Sequence, residues 1–296
     1  MPNWVMNIVK TEVKDFSTLL NKLVNEKDEV DFEKVTPIPK GLNEAPAGPN
    51  YCYKMATSEF TRGLYANQLK DQEEVLDKYF EKFYTDTITA EDFANEVVKN
   101  LDSEPQVKEV LNKYCDDKNH YKVYATGYFN KRRYSFTDWY EASVSLWGTK
   151  WNAQETNLYE QDCKVSFETA WSLPFPILLK IAQDIPFVTM YADEDRGSNY
   201  GGIVFKDGLA YDMLQILADE HEDVLANTSL SLFDYVVASA IWGEPNDNIL
   251  EDIENMFEDS EYYTKQFNVS KEECIKQAEK MLTEFVEPYL DKFLIR

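Results

Sequence analysis

Strand-like segments stand at both ends of a long helical stretch, and this interruption most narrows what the chain can fold into. Residues 3–10 (NWVMNIVK) read as a strand, and 30–38 (VDFEKVTPI) as a second extended segment ended by Pro37 and Pro39. Between them Asp15 is placed to cap a helix whose apolar stripe is Phe16, Leu19, Leu20 and Leu23. A Pro- and Gly-rich loop, PKGLNEAPAGPN, follows and suits an insertion. Residues 54–135 then read as mainly helical, through Leu64, Leu69, Val75, Leu76, Tyr79, Phe80 and Phe83. Ser103-Glu-Pro-Gln106 has the form of a capping box ahead of Val107, Val110, Leu111 and Tyr114. The pattern returns to mixed α and β over 136–211. Trp139, Val144 and Trp147 lie on a short helix ended by Gly148, and CKVSFETAW (163–171) alternates as a strand. FPILLKIAQDIP reads as a proline-bounded helix, and FVTMYADEDRGSNYGGIVF as two strands joined by a polar turn.

Beyond residue 211 the pattern is helical again. Ser229 begins an apolar helix that Gly243 can end, and Ser270-Lys-Glu-Glu273 is a second capping box. The face behind it is Cys274, Ala278, Met281, Leu282, Phe285, Tyr289 and Phe293.

Charge separates this last region from the rest. The 296 residues carry 54 acids against 30 Lys and Arg, a net −24, and Asp207–Thr264 holds 15 of the acids with no Lys or Arg. Residues 244–261 (EPNDNILEDIENMFEDSE) interleave eight acids with Ile249, Leu250, Ile253, Met256 and Phe257. The apolar residues fall at helix-core spacing, which turns Glu251, Asp252, Glu254, Glu258 and Asp259 to solvent. Such a surface reads either as a solubility bias or as a docking face for a basic protein groove. The same charge argues against direct contact with nucleic acid or anionic lipid. No stretch approaches the roughly 18–20 apolar residues of a membrane span. MPNWVMNIVKTEVKDF has no basic region followed by an apolar one, so the expected location is the cytoplasm.

Catalytic chemistry is sparse. Cys52, Cys115, Cys163 and Cys274 form no Cys-x-x-Cys pair and read as small buried hydrophobes. His120 and His221 are far apart, and His221 in DEHED lacks a second ligand at helical spacing. P-loop, Gly-x-Ser-x-Gly and His-Glu-x-x-His motifs are absent. GSNYGG (197–202) reads as a hairpin turn and Asp193-Glu194-Asp195 as a solvated one. The basic and aromatic run Lys118–Arg133 reads as a tyrosine-rich strand pair whose basic turn balances acidic neighbours, with contact to nucleic acid or to an acidic partner as its functional alternative. No enzyme, cofactor or metal site is expected. The alternative is a metal-dependent enzyme for a nucleotide or defence signal, built on Asp193, Glu194 and Asp195.

MPNWVMNIV, LWGTKWNA (146–153), FETAWSLP (167–174) and YADEDRGSNYGG (191–202), in this order, resemble the YubB-type ferredoxin-like domain. Proteins with that domain are carried mainly by phages and plasmids. The resemblance implies an α+β fold: an antiparallel sheet with helices on one face, over 1–43 and 136–211. A large helical insertion at 44–135 and an acidic helical C-terminal region at 212–296 lie outside it. It implies no catalytic residues. Trp4, Trp147, Trp151 and Trp171 are expected as core and scaffold, their indole N–H groups needing partners when buried.

Size, acidity and the lack of catalytic motifs are also similar to the phage proteins that inhibit the Gabija nuclease–ATPase complex, a group that assembles around its target and blocks DNA cleavage. The expectation is a phage-encoded anti-defence inhibitor working by stoichiometric protein binding. Its partners would be a bacterial defence complex and further copies of itself, a homo-oligomer, with neither nucleic acid nor membrane. The expected interface is Tyr121, Tyr124, Tyr128, Asp247, Glu251, Asp252, Glu254, Glu258, Asp259, Glu261, Tyr262 and Tyr263.

Overall fold

The computed structural model describes residues 3–43, 74–101, 103–105, 108–109, 118–193, 200–212, 232, 235–236, 239, 246–259 and 270–283. In chain order the elements begin β1 (Trp4–Lys10), α1 (Val13–Leu23), α2 (Phe32–Val35), α3 (Lys40–Asn43) and a helical segment at 74–83. Next come α4 (Ala90–Leu101), α5 (Lys118–Tyr134), α6 (Trp139–Trp147), β2 (Gln154–Tyr159), β3 (Lys164–Ala170) and α7 (Phe175–Ile181). The series ends with β4 (Phe187–Asp193), β5 (Tyr200–Lys206), β6 (Leu209–Asp212), α8 (Asn246–Asp259) and α9 (Lys271–Met281). Two compact units result: 1–36 with 147–296, and 37–146. Both cuts fall inside the 1–43 and 136–211 segments expected from the sequence, placing α3 and nearly all of α6 in the inserted unit.

Among the described residues of the first unit the strands form one six-stranded sheet in the order β2-β3-β1-β4-β5-β6. β1 pairs antiparallel with both β3 and β4, and β2 antiparallel with β3. Hence β1 and β2 run parallel with β3 between them, and β3 and β4 run parallel with β1 between them. This double split βαβ is the ferredoxin-like arrangement, here extended by a β5–β6 hairpin beyond β4. The fold class is α+β.

One sheet face is set by alternation. Val5, Asn7 and Val9 of β1 lie opposite Thr169, Phe167 and Val165 of β3, and all six are buried. Phe32 of α2 meets Phe167 edge-on at 6.0 Å, and α2 contacts both α1 and α7, so these helices close this face. Buried Asn7 donates from Nδ2 to the Val5 and Phe167 carbonyls and to Thr169 Oγ1 at 2.9, 3.3 and 2.8 Å.

Two local expectations are corrected. Asp15 does not cap α1; the helix begins at Val13 after Glu12, and Asp15 sits in its first turn. The cause lies upstream, where Thr11 is tied by its N–H to the Cys163 carbonyl and by its hydroxyl to the Pro186 carbonyl, so the helix starts immediately after it. Residues 30–38 are not one extended segment. Val30 bridges Val24, but Asp31 caps the helical turn α2 by accepting from the Glu33 N–H at 3.0 Å. Asn152 Oδ1 takes the Phe32 N–H at 2.9 Å and fixes where that turn begins.

The second unit centres on the 74–83 helix, α4 and α5. Its core is Leu76, Tyr79, Phe93, Ala94, Val97, Leu101, Tyr121, Tyr124, Ala125, Tyr128 and Phe129. The tyrosine-rich strand pair expected over 118–133 is instead the single helix α5. Tyr121, Tyr124, Ala125, Tyr128 and Phe129 recur at helical spacing, and burying that one stripe outweighs the strand preference of isolated tyrosines. Helix α6 ends as expected at Gly148, in the left-handed region with φ 82°. Leu64, Leu69, Val107, Val110, Leu111, Tyr114, Ser229, Gly243, Phe285, Tyr289 and Phe293 lie outside the described residues, as does Gln106 of the first capping box.

Candidate protein-binding surface

Helix α8 carries the described part of the acidic segment. Ile249 and Ile253 are fully buried, one helical turn apart, and α8 packs on α9, whose Cys274, Ala278 and Met281 are buried in turn. That packing fixes the helix rotation, so Glu251, Asp252 and Glu254 emerge on the exposed side. Ser270 caps α9 by accepting from the Glu273 N–H at 3.3 Å. The Glu273 carboxylate accepts from Gln277 Nε2 at 3.1 Å, while that of Glu272 is held below the usual glutamate range, first by its own backbone N–H and then by the Ser270 hydroxyl. Burial pushes the Cys274 thiol up to about 11, keeping it protonated. Cys163 is likewise buried and free; Cys52 and Cys115 lie outside the described residues.

Lys and Arg are absent from 207–264, but the acids of α8 are not wholly unbalanced. Lys271 Nζ, from α9, reaches Glu254 Oε1 at 3.1 Å, and the Tyr235 hydroxyl donates to Asp252 Oδ2 at 3.5 Å. Lys271 escapes sequence reasoning because it lies 17 residues from its partner on another helix. Its place in the first turn of a helix with Cys274, Ala278 and Met281 inward is the signal that points it toward a packed neighbour.

The remaining interface candidates divide. Asp247, Glu258 and Asp259 belong to α8, with side chains that are not described; Glu261, Tyr262 and Tyr263 lie outside the described residues. Tyr121, Tyr124 and Tyr128 are core side chains of the second unit, 4%, 1% and 2% exposed. The Tyr128 hydroxyl donates to Asp77, which also pairs with Arg132 at 3.3 Å. Lys131 pairs with Glu141 at 3.2 Å. Arg133 donates to the Ile88 and Asp86 carbonyls at 2.9 and 2.8 Å, closing the wall of a cleft of about 470 Å³ with Gly41, Glu91 and Tyr134. The three cations at the end of the basic run thus all have partners within their own unit.

Glu141 joins two structural bonds. It accepts from the Thr137 N–H and hydroxyl, both at 2.7 Å. Burial acts to raise its proton affinity, but those bonds and Lys131 outweigh it and hold the carboxyl below its ordinary value. Among the described residues no group of His, Cys, Asp or Glu is arranged to hold a metal ion. Asp193 ends β4, while Glu194 and Asp195 lie outside the described residues. No helix among them is long and apolar enough to cross a membrane.

The tryptophans part company with the core expectation. Trp147 is buried and its indole N–H donates to the Thr36 carbonyl at 2.8 Å, whereas Trp171 is 46% exposed. Trp4 and Trp151 are half-buried beside it.

Residues 146–229 match the family model described as a ferredoxin-like domain in Api92-like protein, 84 of the 296 residues. No curated protein and no solved structure matches the chain. The segment from the end of α6 through the β2–β6 strands is thus similar to a ferredoxin-like domain in Api92-like protein, and β1 completes the sheet from outside the matched residues.

Proposed function

We propose that this chain is a phage-encoded anti-defence protein that binds a bacterial DNA-processing immune complex stoichiometrically and blocks its access to DNA, without turning over a substrate. The observation carrying this reading is α8, which exposes Glu251, Asp252 and Glu254 on one side while Ile249 and Ile253 anchor the other. An acidic helix within a 58-residue segment free of Lys and Arg complements a basic groove of the kind that holds DNA. The YubB-type motifs support an origin in phages or plasmids, and the resemblance in size and acidity nominates a Gabija-type nuclease–ATPase as the first target to try. With Tyr121, Tyr124 and Tyr128 enclosed in a core, the proposed contact rests on the carboxylates of α8.

Pull-down from bacterial lysate identifies the partner, and the variant Glu251→Lys, Asp252→Lys, Glu254→Lys tests the surface. A charge pair about 5 Å apart in water contributes roughly 0.8 kcal/mol, about halved by screening at 0.15 M salt. Reversing three charges turns each attraction into a repulsion, a change of about 2.7 kcal/mol, on the order of 100-fold in Kd. The loss should shrink at 0.5 M salt. Unchanged affinity and salt dependence would reject α8 as the docking face, and turnover of a nucleotide or polynucleotide at substoichiometric dose would reject the non-enzymatic mechanism.

A further inference from the structure

Trp171 combines features that a scaffold role would keep apart. Its φ of 70° is in the left-handed region, which disfavours a bulky side chain and which Gly or Asn occupies more readily. Its N–H donates to the Asn3 carbonyl at 2.8 Å, tying the turn after β3 to the start of β1. Yet the indole held this way is nearly half exposed. Trp151 lies between it and Trp4, with ring centroids 6.4 and 6.1 Å away and planes inclined by 31° and 39°. Lys150 lays its ammonium over this row, 4.4 Å from the Trp151 centroid and 5.2 Å from that of Trp171. The indole faces already hold a cation, supplied by the neighbouring residue.

We propose that the Trp4–Trp151–Trp171 row is a docking site for an arginine side chain of a partner protein, with Lys150 as the resident cation that the arginine displaces. This rests on the reading of the chain as a binder of a basic protein and names the chemistry of a second contact, made by residues other than those of α8. A guanidinium is planar and more weakly hydrated than an ammonium, so it stacks on indole at lower desolvation cost. The net charge of −24 draws basic surfaces toward the molecule. Tryptophan and arginine are also the residue types that most often dominate interface energies.

The test uses the full chain and its tryptophan indole N–H peaks in a two-dimensional NMR spectrum, titrated with acetyl-arginine-amide and with its uncharged isostere acetyl-citrulline-amide. The arginine compound should move indole peaks saturably and the citrulline compound should not. Lys150→Met, which vacates the ring faces, should tighten arginine binding about three- to fivefold, the effect of one exposed cation–π contact. Trp171→Ala should weaken it by a similar factor and Trp171→Phe should restore most of it. Equal responses to arginine and citrulline, or no tightening in Lys150→Met, would overturn the proposal. Lys150→Met changes a surface side chain and keeps the test valid even if Trp171→Ala unfolds. Glu251→Lys, Asp252→Lys, Glu254→Lys should leave this titration unchanged, so failure here and failure of the α8 reading are separate results.

Discussion

Replacing Gly148 by alanine tests the close packing of the turn after Trp147 against Leu173–Pro176. Gly148 follows the last residue of α6 at φ 82°, where an alanine loses about 1 kcal/mol for its Cβ alone. That Cβ would stand 2.7 Å from Pro176 Cδ, 3.2 Å from the Phe175 nitrogen and 3.3 Å from the Leu173 carbonyl oxygen. A proline ring and main chain cannot swing aside, because the Phe175 N–H is bonded to the Leu173 carbonyl at 2.8 Å. Forced overpacking of this kind adds about 1–3 kcal/mol. The total is about 2–4 kcal/mol, or roughly 4–16 °C in Tm for a unit of this size. Gly208 is the control: its φ is 72°, but the nearest atom to an added Cβ is Cγ of the flexible Gln183 side chain at 3.3 Å. Gly208→Ala should therefore lose only the backbone part, about 1 kcal/mol and roughly 2–4 °C. Differential scanning calorimetry of both variants gives the comparison. Equal losses, or a larger loss at Gly208, would refute the steric account of the α6–β2 junction.

Other outcomes follow from the packing and the proton affinities. Phe93→Ala empties a fully buried site ringed by Phe80, Tyr128 and Phe129 and should lower stability by about 3–5 kcal/mol in chemical denaturation. Glu141 has a folded-state proton affinity below its unfolded one, so its contribution is present above the ordinary glutamate value of about 4.3 and is lost as pH falls through the lower folded value. Glu141→Gln should therefore destabilise at neutral pH, with a deficit that vanishes in acid; a deficit independent of pH would contradict the assignment. Cys274, buried and pushed up to about 11, should resist thiol reagents at pH 8 in the native protein and react promptly once denatured.

Much of the first unit was legible because its signals are local. The alternation of WVMNIVK and KVSFETA, the prolines around FPILLKI and the Gly after Trp147 each act within a few residues, and the strands and helices stand where those patterns put them. Lys118–Arg133 was misread because its composition of tyrosines and cations imitates a strand pair. Only Leu76, Phe93 and Val97, arriving from other helices, decide that Tyr121, Tyr124 and Tyr128 form one buried stripe. Asp15 looked like a cap because its own segment contains nothing to contradict it; the bonds that start α1 two residues earlier come from Cys163 and Pro186.

From the sequence alone came the α+β class, the concentration of acids after residue 207 and the inward placement of Ile249 and Ile253. These depend on periodicity and composition, which are properties of consecutive residues. Tertiary structure decided the strand order, the pairing of Glu254 with Lys271, the enclosure of the tyrosines and the exposed, strained Trp171 beneath Lys150. Each of those depends on which distant segment arrives opposite, and the free energy of burial and pairing acts between neighbours in space whatever their separation along the chain.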